Sequence, residues 1–147
     1  MRLTSAAMTD ADFLAAIENC SYPIGDFHHA EHLRLGWLLL SRMDLPSAAT
    51  RAACAIRRLA QHHGLGHKYH ETITQAWMRL LASHDERDFS EFLALHGDRV
   101  SLDLLHRYWR RETLMSDSAR ARWVEPDLTP LPSPIARERA IEAAPQA

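Results

Sequence analysis

Apolar residues recur with the period of an α-helix along nearly the whole chain, and this pattern constrains the fold more than any other feature. No stretch shows the sustained alternation of apolar and polar residues that is typical of a strand. Proline and glycine residues divide the pattern into segments of ordinary helix length. With 147 residues, the chain has the size of one domain. The sequence therefore predicts an all-α, single-domain, up-down bundle of about six helices.

The composition changes near residue 124, where the helical periodicity ends. Five of the seven prolines follow Glu125, and a proline disfavours helical conformation at its own position and at the residue before it. We therefore expect a helical domain over residues 1–123 and an extended Pro-rich C-terminal tail over residues 124–147. The tail is predicted to lie against the helices through Leu128 and Leu131, or else to form a disordered end.

Composition and charge exclude several classes of function. The formal net charge is -2 at pH 7, which gives no electrostatic basis for binding nucleic acid or an anionic membrane. The longest apolar run, residues 35–40, is far shorter than the ~20 residues that cross a bilayer. The two cysteines have neither the spacing of a metal site nor that of a disulfide framework. We expect a cytoplasmic protein whose partner is a small molecule, and the sequence leaves a homo-oligomer open.

Histidine is the residue type that points to function, because the chain contains ten. On the wheels of the second and fourth predicted helices, about residues 28–43 and 69–83, three histidines lie on the apolar faces. A buried imidazole must bind a hydrogen-bond partner or a metal ion. Another histidine ends the third predicted helix, so in an up-down bundle all four imidazoles meet at one pole. These four residues are His29, His32, His70 and His63.

Neutral imidazoles are ligands for divalent transition metals, and three of them with an open coordination position form a known catalytic arrangement. We expect His29, His32 and His70 to hold a zinc, iron or manganese ion. His63 is the candidate for a fourth ligand. The candidates for proton transfer or for orienting a ligand lie in the same turns as His70. They are Thr74, Glu71 and Tyr69.

The histidine pattern predicts a small metal-dependent enzyme that acts on a small molecule, with the reaction unspecified. The alternative is a non-catalytic ligand-binding or protein-interaction domain in which the same histidines bond to the backbone. Gly36 follows His32 by one turn on the same face, and we expect it to make room beside that ring. His62 and His96 are expected to take no part in the site. His84-Asp85 resembles the adjacent pair of the HD phosphohydrolases, but the other metal ligands of that family are not in order, so we expect a helix end there.

Three short segments of the sequence resemble segments of known proteins. They are Phe27-x-His29-x-x-His32-Leu33, Lys68-Tyr69-His70-Glu71-Thr72-Ile73-Thr74, and Trp123-Val124-Glu125-Pro126-Asp127-Leu128. Over about residues 27–132 the chain resembles a group of small uncharacterised bacterial all-helical proteins, and this resemblance implies no activity. By architecture the chain is also similar to the DinB-like bundles, which hold a metal with three histidines. Those bundles use an isolated histidine followed by an i, i+4 pair, whereas here an i, i+3 pair comes first.

Overall fold

The computed structural model describes residues 7–135, and this part of the chain is helical, with no β-strand. The all-α prediction is confirmed for these residues, with eight α-helices in place of about six. Residues 136–147 of the predicted tail lie outside the described residues. The helices are α1 (Asp10–Glu18), α2 (His29–Leu40), α3 (Leu45–His62), α4 (Glu71–Leu81), α5 (Phe89–His96), α6 (Leu102–Leu105), α7 (Arg111–Leu114) and α8 (Asp117–Ala121).

Polar side chains at the N-termini determine where three of the helices begin. Thr9 accepts a hydrogen bond from the backbone N–H of Asp12 at the start of α1. Asp44 and Asp88 cap α3 and α5 in the same way. Each cap satisfies a backbone donor that has no partner within its own helix. Gly64 follows the end of α3 with a φ of 72°, the left-handed conformation in which glycine is favoured.

Helices α2, α3 and α4 pack against one another and form the centre of the fold. The buried face of α3 consists largely of alanines, which allow its neighbours to approach closely. Helix α1 packs on α3, and α8 packs on α4. None of the helices in the described part of the chain is both long and apolar enough to cross a bilayer.

Gly36 lies at the contact between α2 and α4. A Cβ atom at this position would lie 2.8 Å from Cδ1 of Leu81 and 2.9 Å from Sδ of Met78. Both distances are shorter than van der Waals contact. The glycine therefore allows the close approach of the two helices, and the expectation that it makes room for His32 is wrong.

Residues 122–135 form no helix and bond to the helical part at several points. The helical wheel of the fourth predicted helix places Thr72 on the solvent side, but the structure buries it completely. Its hydroxyl donates to the carbonyl of Arg122 at 2.8 Å and accepts the N–H of Val124 at 3.1 Å. Further along, the N–H of Leu128 donates to the carbonyl of Tyr108. Thr72 is buried because the C-terminal segment covers it.

Candidate functional site

A cavity of about 560 Å³ lies between the first turns of α2 and α4, next to residues 101–102. Most of its lining surface is apolar, and the apolar lining includes Phe27, Trp77 and Met78. We call it the histidine pocket. Its polar lining consists of His28, His29, His32, Lys68, Tyr69, His70, Thr74 and Ser101.

His70 is a buried structural residue at the N-terminus of α4. Its Nδ1 accepts the backbone N–H of Ile73 at 3.1 Å, which caps the helix. The proton is therefore on Nε2, which donates to the carbonyl oxygen of Leu114 at 2.7 Å. Burial lowers the pKa of His70, and the positive charge of Arg120 lowers it further, although the bond to Leu114 opposes them. Both ring nitrogens are occupied, so a metal ion could bind only if one of these bonds broke.

His32 has a ring nitrogen that remains available. Nδ1 donates to the backbone carbonyl of His28 at 2.8 Å, so the lone pair of the neutral ring is on Nε2. No hydrogen-bond partner of Nε2 occurs within residues 7–135. Burial lowers the pKa of His32, and this effect exceeds the opposing effect of the bond to His28. The ring packs against Phe27 with 4.1 Å between the ring centroids.

His29 is exposed and bonds to a distant part of the chain. Its Nε2 donates to the carbonyl oxygen of Val100, 71 residues away in the sequence. The ring makes an edge contact with Trp77 at 4.8 Å between centroids. His29 thus joins the start of α2 to the segment before α6 and forms part of the pocket wall.

Two of the three predicted proton-transfer residues line the pocket. The hydroxyl of Tyr69 donates to Oε1 of Glu71 at 2.6 Å. Burial raises the pKa of Tyr69, and the Glu71 carboxylate raises it further, so the phenol stays protonated and donates its proton to Glu71. Glu71 lies outside the lining and also pairs with Arg57. Thr74 lines the pocket, and its hydroxyl donates to the carbonyl of His70 at 2.9 Å.

The four predicted metal ligands do not come together as a ligand set. His29, His32 and His70 line one pocket, but His63 is exposed at the end of α3 and does not line it. Among residues 7–135, one group of at least three potential ligands has its ligand atoms within 4.8 Å of one another. This group consists of His84, Glu86 and His96.

The sequence interpretation missed this second group and expected His96 to take no part in a site. His84 follows α4, Glu86 lies in the loop before α5, and His96 is the last residue of α5. No local spacing indicates that these residues meet, because the approach of His96 depends on how α5 folds back. The adjacent pair His84-Asp85 was the one signal in the sequence, and the carboxylate that bonds to His84 belongs to Glu86 instead.

Comparison of the chain with protein-family models, with curated proteins and with solved structures gives no match.

Proposed function

We propose that the protein is a small enzyme that binds a largely apolar small molecule in the histidine pocket and uses His32 as a proton acceptor. One observation carries this proposal. His32 lines the pocket, and the lone pair on its Nε2 has no partner within residues 7–135. A neutral imidazole with a fixed tautomer is the usual form of a histidine base. The bond to the carbonyl of His28 supplies that tautomer.

The size and lining of the pocket support a small-molecule ligand. A volume of about 560 Å³ lies within the usual range for ligand sites, roughly 300–1,000 Å³. Apolar walls with a few polar groups are typical of such sites. Lys68 is exposed and lines the pocket, so its ammonium group suits a carboxylate or carbonyl oxygen on the ligand. We therefore expect the ligand to be an apolar carboxylate or carbonyl compound.

The transition metal ion expected from the sequence is not required by this proposal. His32 is available to bind a metal through Nε2, whereas His70 would first have to give up its cap or its bond to Leu114. A non-catalytic ligand-binding domain remains the alternative function. It is favoured by one observation, that His29, His32 and His70 each donate to a backbone carbonyl.

We also propose where the pocket lies in the fold. The pocket is at one pole of an up-down bundle, and the Pro-rich segment is extended over the side of the bundle opposite the pocket. The free thiols of Cys20 and Cys54 support a reduced, cytoplasmic environment. The homo-oligomer that the sequence leaves open stays a prediction.

Binding is tested with a panel of small aromatic and aliphatic carboxylates and ketones, by saturation-transfer NMR on the untagged full chain. Ile56→Phe narrows the pocket and should weaken binding of the carboxylates at least severalfold, because Ile56 lines it. Ile24→Phe is the matched control, since Ile24 is also half-buried but lies outside the pocket. Equal binding by the two variants, or no binding by the wild type, would refute the pocket as a ligand site.

Proton abstraction is tested with the ketones that bind. In D₂O, a base in the pocket should exchange hydrogen on the carbon next to the carbonyl group, which proton NMR follows. His32→Asn retains an N–H donor near the position of Nδ1 and removes the base at Nε2, so exchange should stop while binding persists. Exchange that continues in His32→Asn would refute His32 as the base. Binding without exchange in the wild type would favour the non-catalytic alternative.

A further inference from the structure

A second group of ligand-type side chains lies beyond the C-terminus of α4. Oε1 of Glu86 is 2.6 Å from Nε2 of His96 and 3.3 Å from Nδ1 of His84. The rings of His84 and His96 are 4.6 Å apart between centroids. Phe92 packs against both rings, with centroid distances of 5.0 and 5.5 Å. One carboxylate oxygen thus lies between two imidazoles, and both imidazoles pack against the ring of Phe92.

The Glu86 carboxylate is only partly satisfied by these contacts. Its side chain is 11% exposed, and its Oε2 is buried with no hydrogen-bond partner within the described residues. A buried charge is costly unless an opposite charge or several hydrogen bonds compensate it. Burial raises the pKa of Glu86, but hydrogen bonds from its own backbone and from His96 and His84 outweigh burial and lower it. The group therefore holds a carboxylate that lacks a complete set of partners.

We propose that His84, Glu86 and His96 bind a divalent transition metal ion, for which zinc is the best match. Two histidines and one glutamate form a ligand set that zinc uses in catalytic sites. Distances of about 2.0–2.2 Å from zinc to nitrogen and oxygen place neighbouring ligand atoms about 3.3 Å apart in a tetrahedron. The Glu86–His84 separation of 3.3 Å has this value already. The shorter Glu86–His96 separation must open by less than ~1 Å.

Three protein ligands would leave one tetrahedral position open for a further ligand. His84 and His96 line a second cavity of about 500 Å³, distinct from the histidine pocket. Arg99, Arg107 and Tyr108 also line this cavity. Asp98 and Asp103 line it as well, so the cavity carries charges of both signs, and we expect water as the fourth ligand. This inference does not depend on the function proposed for the histidine pocket.

Zinc binding by the untagged full chain tests the site, with isothermal titration and metal analysis after dialysis. The wild type should retain one zinc ion per chain, and binding should release protons, because the ligands must be deprotonated. Glu86→Gln and His96→Ala should each lower the affinity tenfold or more, since even loss of an outer-shell partner costs roughly 10–100-fold. His62→Ala is the matched control, because His62 is exposed and lies outside the group. A wild type that binds no zinc, or variants that bind as the wild type does, would overturn the proposal.

A measurement on the wild type distinguishes metal binding at this site from metal binding in the histidine pocket. It needs no variant, so it remains valid if a variant fails to fold. Paramagnetic Co²⁺ bound by His84 and His96 should broaden the ring resonances of Phe92, which touches both imidazoles. Co²⁺ bound by His32 would instead broaden those of Phe27, which packs on that ring. Broadening at Phe92 supports the site proposed here. Broadening at Phe27 alone, or at neither residue, would refute it.

Discussion

The two ends of α4 carry histidines in different chemical environments. At its start, His70 bonds to a carbonyl oxygen, as His29 and His32 do on the neighbouring helix. Beyond its end, His84 and His96 both contact the Glu86 carboxylate. A carbonyl oxygen needs only an N–H from a neutral ring, whereas a carboxylate also attracts a proton or a metal ion. The partner of the imidazole therefore indicates its role better than its burial or its spacing in the sequence.

This comparison leads us to expect that His70, at the start of α4, contributes to the stability of the fold. The largest effect should come from His70→Ala. The change removes the N-cap of α4, worth about 1 kcal/mol, and leaves the Leu114 carbonyl without its partner, which costs about 1–3 kcal/mol. We expect the free energy of unfolding to fall by about 2–4 kcal/mol in urea denaturation.

Two variants make the His70 prediction specific. His70→Asn should recover the cap but not the bond to Leu114, because asparagine is a good N-cap residue. His63→Ala should change stability by less than about 0.5 kcal/mol, since His63 is exposed. A cost for His70→Ala as small as that for His63→Ala would show that the bonds of His70 do not stabilise the fold.

The second prediction concerns the loss of stability in acid, which should be smaller than the effect of His70→Ala. The pKa values of His32 and His70 in the folded protein lie below the ordinary value of 6.5. The unfolded chain therefore binds more protons than the folded protein as the pH falls through this region, so acid favours unfolding. Stability from these two residues is fully present above pH 6.5 and should decrease as the pH falls through their folded pKa values.

Urea denaturation at a series of pH values from 7.5 to 5 measures this loss. His32→Asn and His70→Asn should each make the stability less dependent on pH, because each removes one neutral imidazole. His62→Asn is the control, since that side chain is exposed. If the two variants lose as much stability in acid as the control does, other groups cause the acid sensitivity.

The third prediction concerns Gly36→Ala, which should have the smallest effect and should act on the histidine pocket but not on the zinc site. Gly36→Ala should raise helix propensity by up to ~1 kcal/mol, offset by displacement of the Met78 and Leu81 side-chain ends that a Cβ would meet. The net change in unfolding free energy should therefore be within about 1 kcal/mol. Because both side chains line the histidine pocket, binding of the carboxylate probes should weaken, whereas zinc affinity should not change. Unchanged probe binding would show that these side chains move without narrowing the pocket.

The sequence predicted several features from local rules. Helical periodicity predicted an all-α fold. The caps at Thr9, Asp44 and Asp88 are equally local, because each side chain bonds to a backbone N–H three residues along the chain. Periodicity also placed His32 and His70 on inward faces, and both line the same pocket. Short helices were harder to predict. The periodicity of residues 101–111 predicts a sixth helix, but among them the structure forms α6 over Leu102–Leu105, and α7 begins only at Arg111.

Only the tertiary structure decided the distant partners of the imidazoles. The carbonyls of Val100 and Leu114 reach His29 and His70 from 71 and 44 residues away, and no local pattern encodes those distances. The meeting of His96 with Glu86 likewise depends on how α5 folds back after α4. Periodicity reports which face of a helix is buried, because that follows from a repeat along one chain segment. The distant partners of these rings are atoms that another segment places beside them, and packing determines those atoms.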